Sequence, residues 1–175
     1  MSDSTAIVTP HRSVLVVDDE EHVRANLARV LESEGYAITT AGSGEEALGL
    51  LRDLTVQVMI SDNNMPGLSG LELFKTVRKD HPQVLRIMLT GDADPDLAVR
   101  SINEAEVYRF IRKPWNNQDL RTIVRLAFEV AVLEDEKRKL LEIVRRHRAA
   151  RKTGQAPAED ETELLLLAEA DLLGN

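Results

Sequence analysis

The sequence contains no cysteine, which excludes disulfides, thiolate metal sites and cysteine nucleophiles and suits a reducing compartment. No apolar run approaches the roughly 18 residues of a membrane-spanning helix. The polar segment Met1–Arg12 lacks the charged-then-apolar pattern of a secretory signal. Positive charge is in deficit: the net charge is -8, so the chain as a whole offers no footprint for nucleic acid or an anionic membrane. A cytoplasmic protein is expected. The chain has 175 residues, 43% of them hydrophobic, enough for one core of ordinary size with an appendage.

The stretch Val56–Gly67 organises the rest. An almost unbroken apolar run, rich in β-branched residues, stops at Asp62 and passes into a turn containing Pro66-Gly67. That pattern puts a carboxylate at the C-terminal end of a buried strand, where open parallel α/β sheets bind ligands. Alternatively, Asp62 only begins the turn. Upstream, Ser13–Val17 reads as a strand covered on both faces. Val23, Leu27, Val30 and Leu31 recur at helical spacing from about Glu20 to Glu34, and Gly35 closes that helix. Tyr36–Ala41 reads as a second strand. Ser43 and Glu46 form a capping box for a helix to about Asp53. Downstream, a helix over 70–80 stops before Pro82, Val84–Leu89 is a fourth strand, and Pro95 suits the first turn of a helix to about Glu104. Val107–Ile111 is a fifth strand. Five βα units predict a doubly wound α/β domain with a five-stranded parallel sheet of order 2-1-3-4-5.

In such a sheet the polar strand ends share one edge. Asp18 and Asp19 follow the first strand, Asp62 the third, Thr90 the fourth and Lys113 the fifth. Clustered carboxylates repel one another, and a divalent cation relieves that cost. Oxygen ligands without His or Cys suit Mg²⁺. A carboxylate beside Mg²⁺, a lysine and a hydroxyl is a plausible nucleophile toward phosphorus.

Leu15-Val16-Val17-Asp18-Asp19-Glu20, Ser61-Asp62-x-x-Met65-Pro66-Gly67-x-x-Gly70, Thr90-Gly91 and Lys113-Pro114 together resemble the receiver domain of bacterial two-component response regulators, over about residues 13–130. The resemblance implies that Asp62 accepts a phosphoryl group from a histidine kinase or phosphotransfer protein. It implies Mg²⁺ ligation by Asp19, Asp62 and the backbone carbonyl of Asn64, with Asp18 acting through water or orienting its neighbour. Lys113 would pair with Asp62 and then with the phosphoryl oxygens, Thr90 would swing toward them, and Phe110 would stand at the switching aromatic. Gly91 stands where many relatives carry alanine and would leave open space beside the acyl phosphate. The run Ile102–Trp115 resembles receivers attached to HD-GYP phosphodiesterases or to hydrogenase-regulator activators, although no HD, GYP or Walker-type motif follows.

Other readings stand beside these. Thr90 could be a plain strand-end residue, Phe110 a core residue, and Asp18 and Asp19 caps of the first helix. Tyr108, expected on the same strand face as Phe110, competes for the switch position. A phosphohydrolase of the haloacid-dehalogenase pattern needs a second aspartate where Asn64 stands. A degenerate receiver serving as a dimerisation adaptor is the remaining alternative.

Beyond the receiver, Ile123, Leu126, Val130, Leu133, Leu140 and Val144, with Lys137 between, follow a heptad spacing. The first part of this helix should pack on the sheet, and residues 131–153 should extend and serve a homodimer or an output protein. Arg145–Lys152 is basic, but without a helix-turn-helix or aromatics nearby it reads as a solvated face rather than a nucleic-acid site. His147 has no following acidic residue and is not read as a phosphorelay histidine. Residues 154–162 are read as a linker, and 163–175 as a short amphipathic helix seeking a partner surface.

Overall fold

The computed structural model describes residues 12–91 and 95–153. The readings of a lead-in before residue 12, a linker over 154–162 and a helix over 163–175 lie outside the described residues. Elements run β1 (Ser13–Val17), α1 (Glu21–Glu32), β2 (Ala37–Ala41), α2 (Gly44–Leu50), β3 (Val58–Asp62), α3 (Gly70–Asp80), β4 (Leu85–Thr90), α4 (Pro95–Ala105), β5 (Arg109–Arg112) and α5 (Asn117–Thr153). All neighbouring strands are parallel, in the order β2-β1-β3-β4-β5. This is the doubly wound sheet expected from the alternation of apolar runs and helical periods.

The continuous apolar strands have a simple cause: both faces of the sheet are covered. Val14, Val16, Val58, Ile60, Ile87 and Leu89 face one layer, packed with Val23, Leu27 and Leu31 of α1 and Leu120, Val124 and Phe128 of α5. The alternate residues Leu15, Val17, Met59 and Met88 face the other layer with Ala47, Leu73, Phe74 and Val77. Truncating Phe74, which is fully buried, to alanine would cost on the order of 3–5 kcal/mol.

Local chemistry sets the helix starts. Ser43 accepts a hydrogen bond from the Glu46 amide, but Glu46 Oε2 reaches the amide of Gly42 rather than that of the cap residue. Ser69 likewise accepts from the Glu72 amide at the start of α3. Gly35, after α1, has φ +80, a left-handed conformation that glycine adopts without strain. The N-cap of α1 is Glu20, without a side-chain cap bond, so neither Asp18 nor Asp19 caps this helix.

Three expectations are corrected. The fifth strand begins only at Arg109, and Val107 and Tyr108 precede it. Tyr108 packs against the α1/α5 layer while Phe110 packs against the other. The pleat does not relate the two residues because Tyr108 lies before the strand, so they do not share a face. On α5 the stripe buried on the sheet is Leu120, Val124, Ala127 and Phe128. Of the heptad positions on this part of α5, Ile123 is partly buried against the same core as Leu120 and Phe128, while Leu126 is exposed.

The chain forms two compact units, Met1–Ala131 and Val132–Asn175. In the second, the described residues are helical, and Val132, Leu133, Leu140 and Leu141 are exposed. Among the described residues, no helix is long and apolar enough to cross a membrane.

Candidate functional site

The strand ends converge as the topology requires. Asp62 is the last residue of β3 and Thr90 the last of β4, while Asp18 and Lys113 each directly follow a strand. Asp18 is completely buried and Asp62 nearly so. Lys113 Nζ lies 2.8 Å from Asp18 Oδ2 and 3.1 Å from Asp62 Oδ1, so one ammonium serves two carboxylates. Burial alone would lower the lysine's pKa, but the two carboxylates outweigh it and hold the ammonium above its ordinary value.

The backbone fixes each group. Asp18 Oδ1 accepts from the Glu20 amide at 2.9 Å. Asp62 Oδ2 accepts from the Asn64 amide at 3.0 Å. Asn63 Oδ1 accepts from the Leu71 amide at 3.3 Å, tying the loop after β3 to the start of α3. Gly70 is required here: a Cβ would stand 2.2 Å from the Asp62 carbonyl oxygen and 2.9 Å from Asn63 Cα. The Lys113 amide donates to the Thr90 carbonyl at 2.8 Å, which locks the ends of β4 and β5 together.

Lys113 is therefore in direct contact with both Asp18 and Asp62. Asp19 is exposed beside them, Thr90 is half-buried at the same edge, and Asn64 is exposed. Gly91 is exposed, and among the described residues a Cβ built on it meets nothing within 4 Å. Phe110 is half-buried and packs against the α2/α3 side of the sheet. The contact between Lys113 and Asp18 was not foreseen. Two other residues also escaped the sequence. Arg86, 3% exposed, lies inside a strand that reads as apolar; its guanidinium donates to the carbonyls of Val84, Ala105 and Glu106 and so caps the end of α4. Arg24 on α1 donates to the Asp18 carbonyl at 2.6 Å. A lone cation in an apolar run, and another in a helix's first turn, were the available signals.

Among the described residues, no three acidic or histidine side chains form a ready-made metal cage. The donor chemistry nonetheless fits Mg²⁺: two buried carboxylates share one ammonium, a third lies adjacent, and all donors are hard oxygens. An ion that keeps several waters needs no more than one or two carboxylates from the protein.

Residues 14–125 match the response regulator receiver domain family. The chain is 36% identical over 174 residues to the hydrogenase transcriptional regulatory protein HoxA of Cupriavidus necator, covering 96% of this chain and 35% of that one. It is 34% identical over 114 residues to the DNA-binding transcriptional regulator NtrC of Salmonella typhimurium, covering 65% of this chain and 24% of that protein. The chain thus spans about a third or less of the length of these curated relatives. Among solved structures, the receiver domain of an HD domain-containing protein from Pseudomonas fluorescens superposes with a TM-score of 0.67 at 34% identity, over 69% of this chain and 97% of that one. A response regulator receiver domain from Clostridium thermocellum superposes with a TM-score of 0.66 at 32% identity, over 70% of this chain and 98% of that one. With the sheet order, the convergent strand ends and a match covering most of the chain, this protein belongs to the response regulator receiver family of two-component signalling.

Proposed function

We propose that Asp62 is the phosphoacceptor of an Mg²⁺-dependent switch, served by a histidine kinase or phosphotransfer protein. The observation that carries this reading is the Lys113 ammonium shared by the buried carboxylates of Asp18 and Asp62. A carboxylate oxygen of Asp62 attacks the phosphorus of a phosphohistidine. The P–O bond forms as the P–N bond breaks, and the departing imidazole nitrogen takes up a proton. Asp19, Asp62 and the Asn64 carbonyl would hold Mg²⁺, with Asp18 behind them. The cation supplies positive charge opposite the phosphoryl oxygens. Lys113 is free to leave Asp62 for those oxygens while keeping Asp18 as its anchor, and the Thr90 hydroxyl approaches them from the end of β4.

The response is a population shift in which Thr90 and Phe110 move and the surface of α4, β5 and α5 is reshaped. Two features support a readout there. Val99 and Ile102 of α4 are exposed. Phe110 also lines an open cavity of about 470 Å³ together with Arg112, Trp115, Asp119, Thr122 and Ile123. Residues 13–130 are assigned to the receiver, 131–153 to a helical extension, 154–162 to a linker and 163–175 to a short helix. The exposed Leu133 and Leu140 of the extension offer a seam for a homodimer or an output protein.

Light scattering with Mg²⁺, before and after acetyl phosphate, tests the coupling between site and readout. A change in mass or hydrodynamic radius in wild type but not in Asp62→Asn supports it. A fully phosphorylated wild type without such a change removes self-association from the account.

A further inference from the structure

The loop carrying Asp18 and Asp19 is held from outside the acidic cluster. Asp18 donates its amide to the Ala41 carbonyl at 3.2 Å, at the end of β2. Its own carbonyl accepts from Arg24 Nη1 at 2.6 Å. That carbonyl lies in the same rigid peptide plane as the Asp19 amide and Cα. The bond from Arg24 therefore sets the orientation from which the exposed Asp19 carboxylate projects.

The position of Arg24 is costly for its own helix. It is the fourth residue of α1, near the positive end of the helix dipole, and α1 has no side-chain cap. Its guanidinium passes alongside Gly42, where a Cβ would meet Arg24 Nη1 and Glu46 Oε2 each at 3.5 Å. Glu46 in turn accepts from the Gly42 amide at 2.7 Å. Arg24 thus holds the chain after β1 and Glu46 the chain after β2, and the two side chains lie beside the same glycine.

We infer that Arg24 is a positioning residue for the divalent cation: it fixes the Asp18–Asp19 peptide so that the Asp19 carboxylate is preset for Mg²⁺. This rests on the Mg²⁺-dependent phosphoacceptor reading above. It makes a prediction opposite in sign to that of simple electrostatics. Removing a positive charge beside a cation site should tighten Mg²⁺ binding if charge is all that matters. Removing a support from behind a ligand should weaken it.

The test is isothermal titration calorimetry with Mg²⁺ on the full chain, comparing wild type with Arg24→Met, which keeps the apolar stem but loses charge and donors, and with Arg24→Lys. Arg24→Met should raise the Mg²⁺ dissociation constant about tenfold, the low end of the effect of losing a support behind metal ligands. Arg24→Lys should recover most of that loss. The labelling rate with acetyl phosphate at saturating Mg²⁺ should stay within about twofold of wild type, because Arg24 touches neither phosphoryl group nor nucleophile. An unchanged or lowered dissociation constant in Arg24→Met overturns the inference. Should Arg24→Met not fold, Arg24→Gln, whose shorter amide falls short of the Asp18 carbonyl, is read by the same criterion. If wild type itself neither binds Mg²⁺ nor takes label, the phosphoacceptor reading falls as well. If wild type does both and the Arg24 variants match it, only the role of Arg24 falls.

Discussion

Lys113 lies closer to Asp18 than to Asp62, at 2.8 Å against 3.1 Å. The lysine is thereby anchored on a carboxylate with no solvent exposure and reaches across to the nucleophile, which leaves it held when Asp62 changes charge.

Lys113→Met should therefore cost stability as well as function, because it strands the buried Asp18 without a cation. The expected loss is on the order of 3 kcal/mol, the low end for breaking one side of a buried pair. Asp18→Asn in that background should restore part of it, since the amide oxygen still accepts from the Glu20 amide. Urea denaturation of both single variants and the double variant gives the coupling energy. Additive losses would show that the two side chains do not depend on each other.

Gly70→Ala and Gly91→Ala should behave oppositely. At Gly70 the new methyl would stand 2.2 Å from the Asp62 carbonyl oxygen, so backbone on both sides must move. A loss of about 1–3 kcal/mol and impaired labelling of Asp62 are expected. At Gly91 the methyl meets nothing within 4 Å among the described residues, and stability should be unchanged within about 0.5 kcal/mol. Equal effects at the two positions would contradict the packing described here.

The link between α3 and α4 should show a defined acid dependence. Lys75 lies 2.6 Å from Glu104 Oε2, and its hydrogen bond is the main cause holding the Glu104 carboxyl below its ordinary 4.5. A group with a depressed folded-state pKa contributes stability that is present above its unfolded value and lost as pH falls through the folded one. The stability difference between wild type and Glu104→Gln should thus be present near neutral pH and vanish in acid. Both groups are exposed, so the difference should be small and should shrink with added salt. A difference that persisted in acid would assign it to packing.

The sheet was legible because its strands are apolar without interruption, which in a parallel sheet means cover on both faces, and because turn residues punctuate them. Asp62 and Lys113 stood out as ionisable groups at the ends of such runs. That Lys113 lies nearer Asp18 than Asp62 was not legible, since both carboxylates stand at the same sheet edge and their distances, 2.8 Å and 3.1 Å, differ by only 0.3 Å. Arg24 and Arg86 were hidden for another reason: each acts on backbone carbonyls, which every residue possesses, so no spacing of residue types announces the contact. On α5, two apolar stripes share one helix. Periodicity detected the one that is only partly covered, with Ile123 packed on the core and Leu126 exposed, and only the fold showed that Leu120, Val124 and Phe128 form the fully buried one.

The central claim is best tested by locating the phosphoryl group after incubation with acetyl phosphate and Mg²⁺, using intact mass and peptide mapping. A single hydroxylamine-sensitive phosphoryl on Asp62, dependent on Mg²⁺ and missing in Asp62→Asn, is the expected result. Stable modification elsewhere, or equal labelling of Asp62→Asn, would contradict the account.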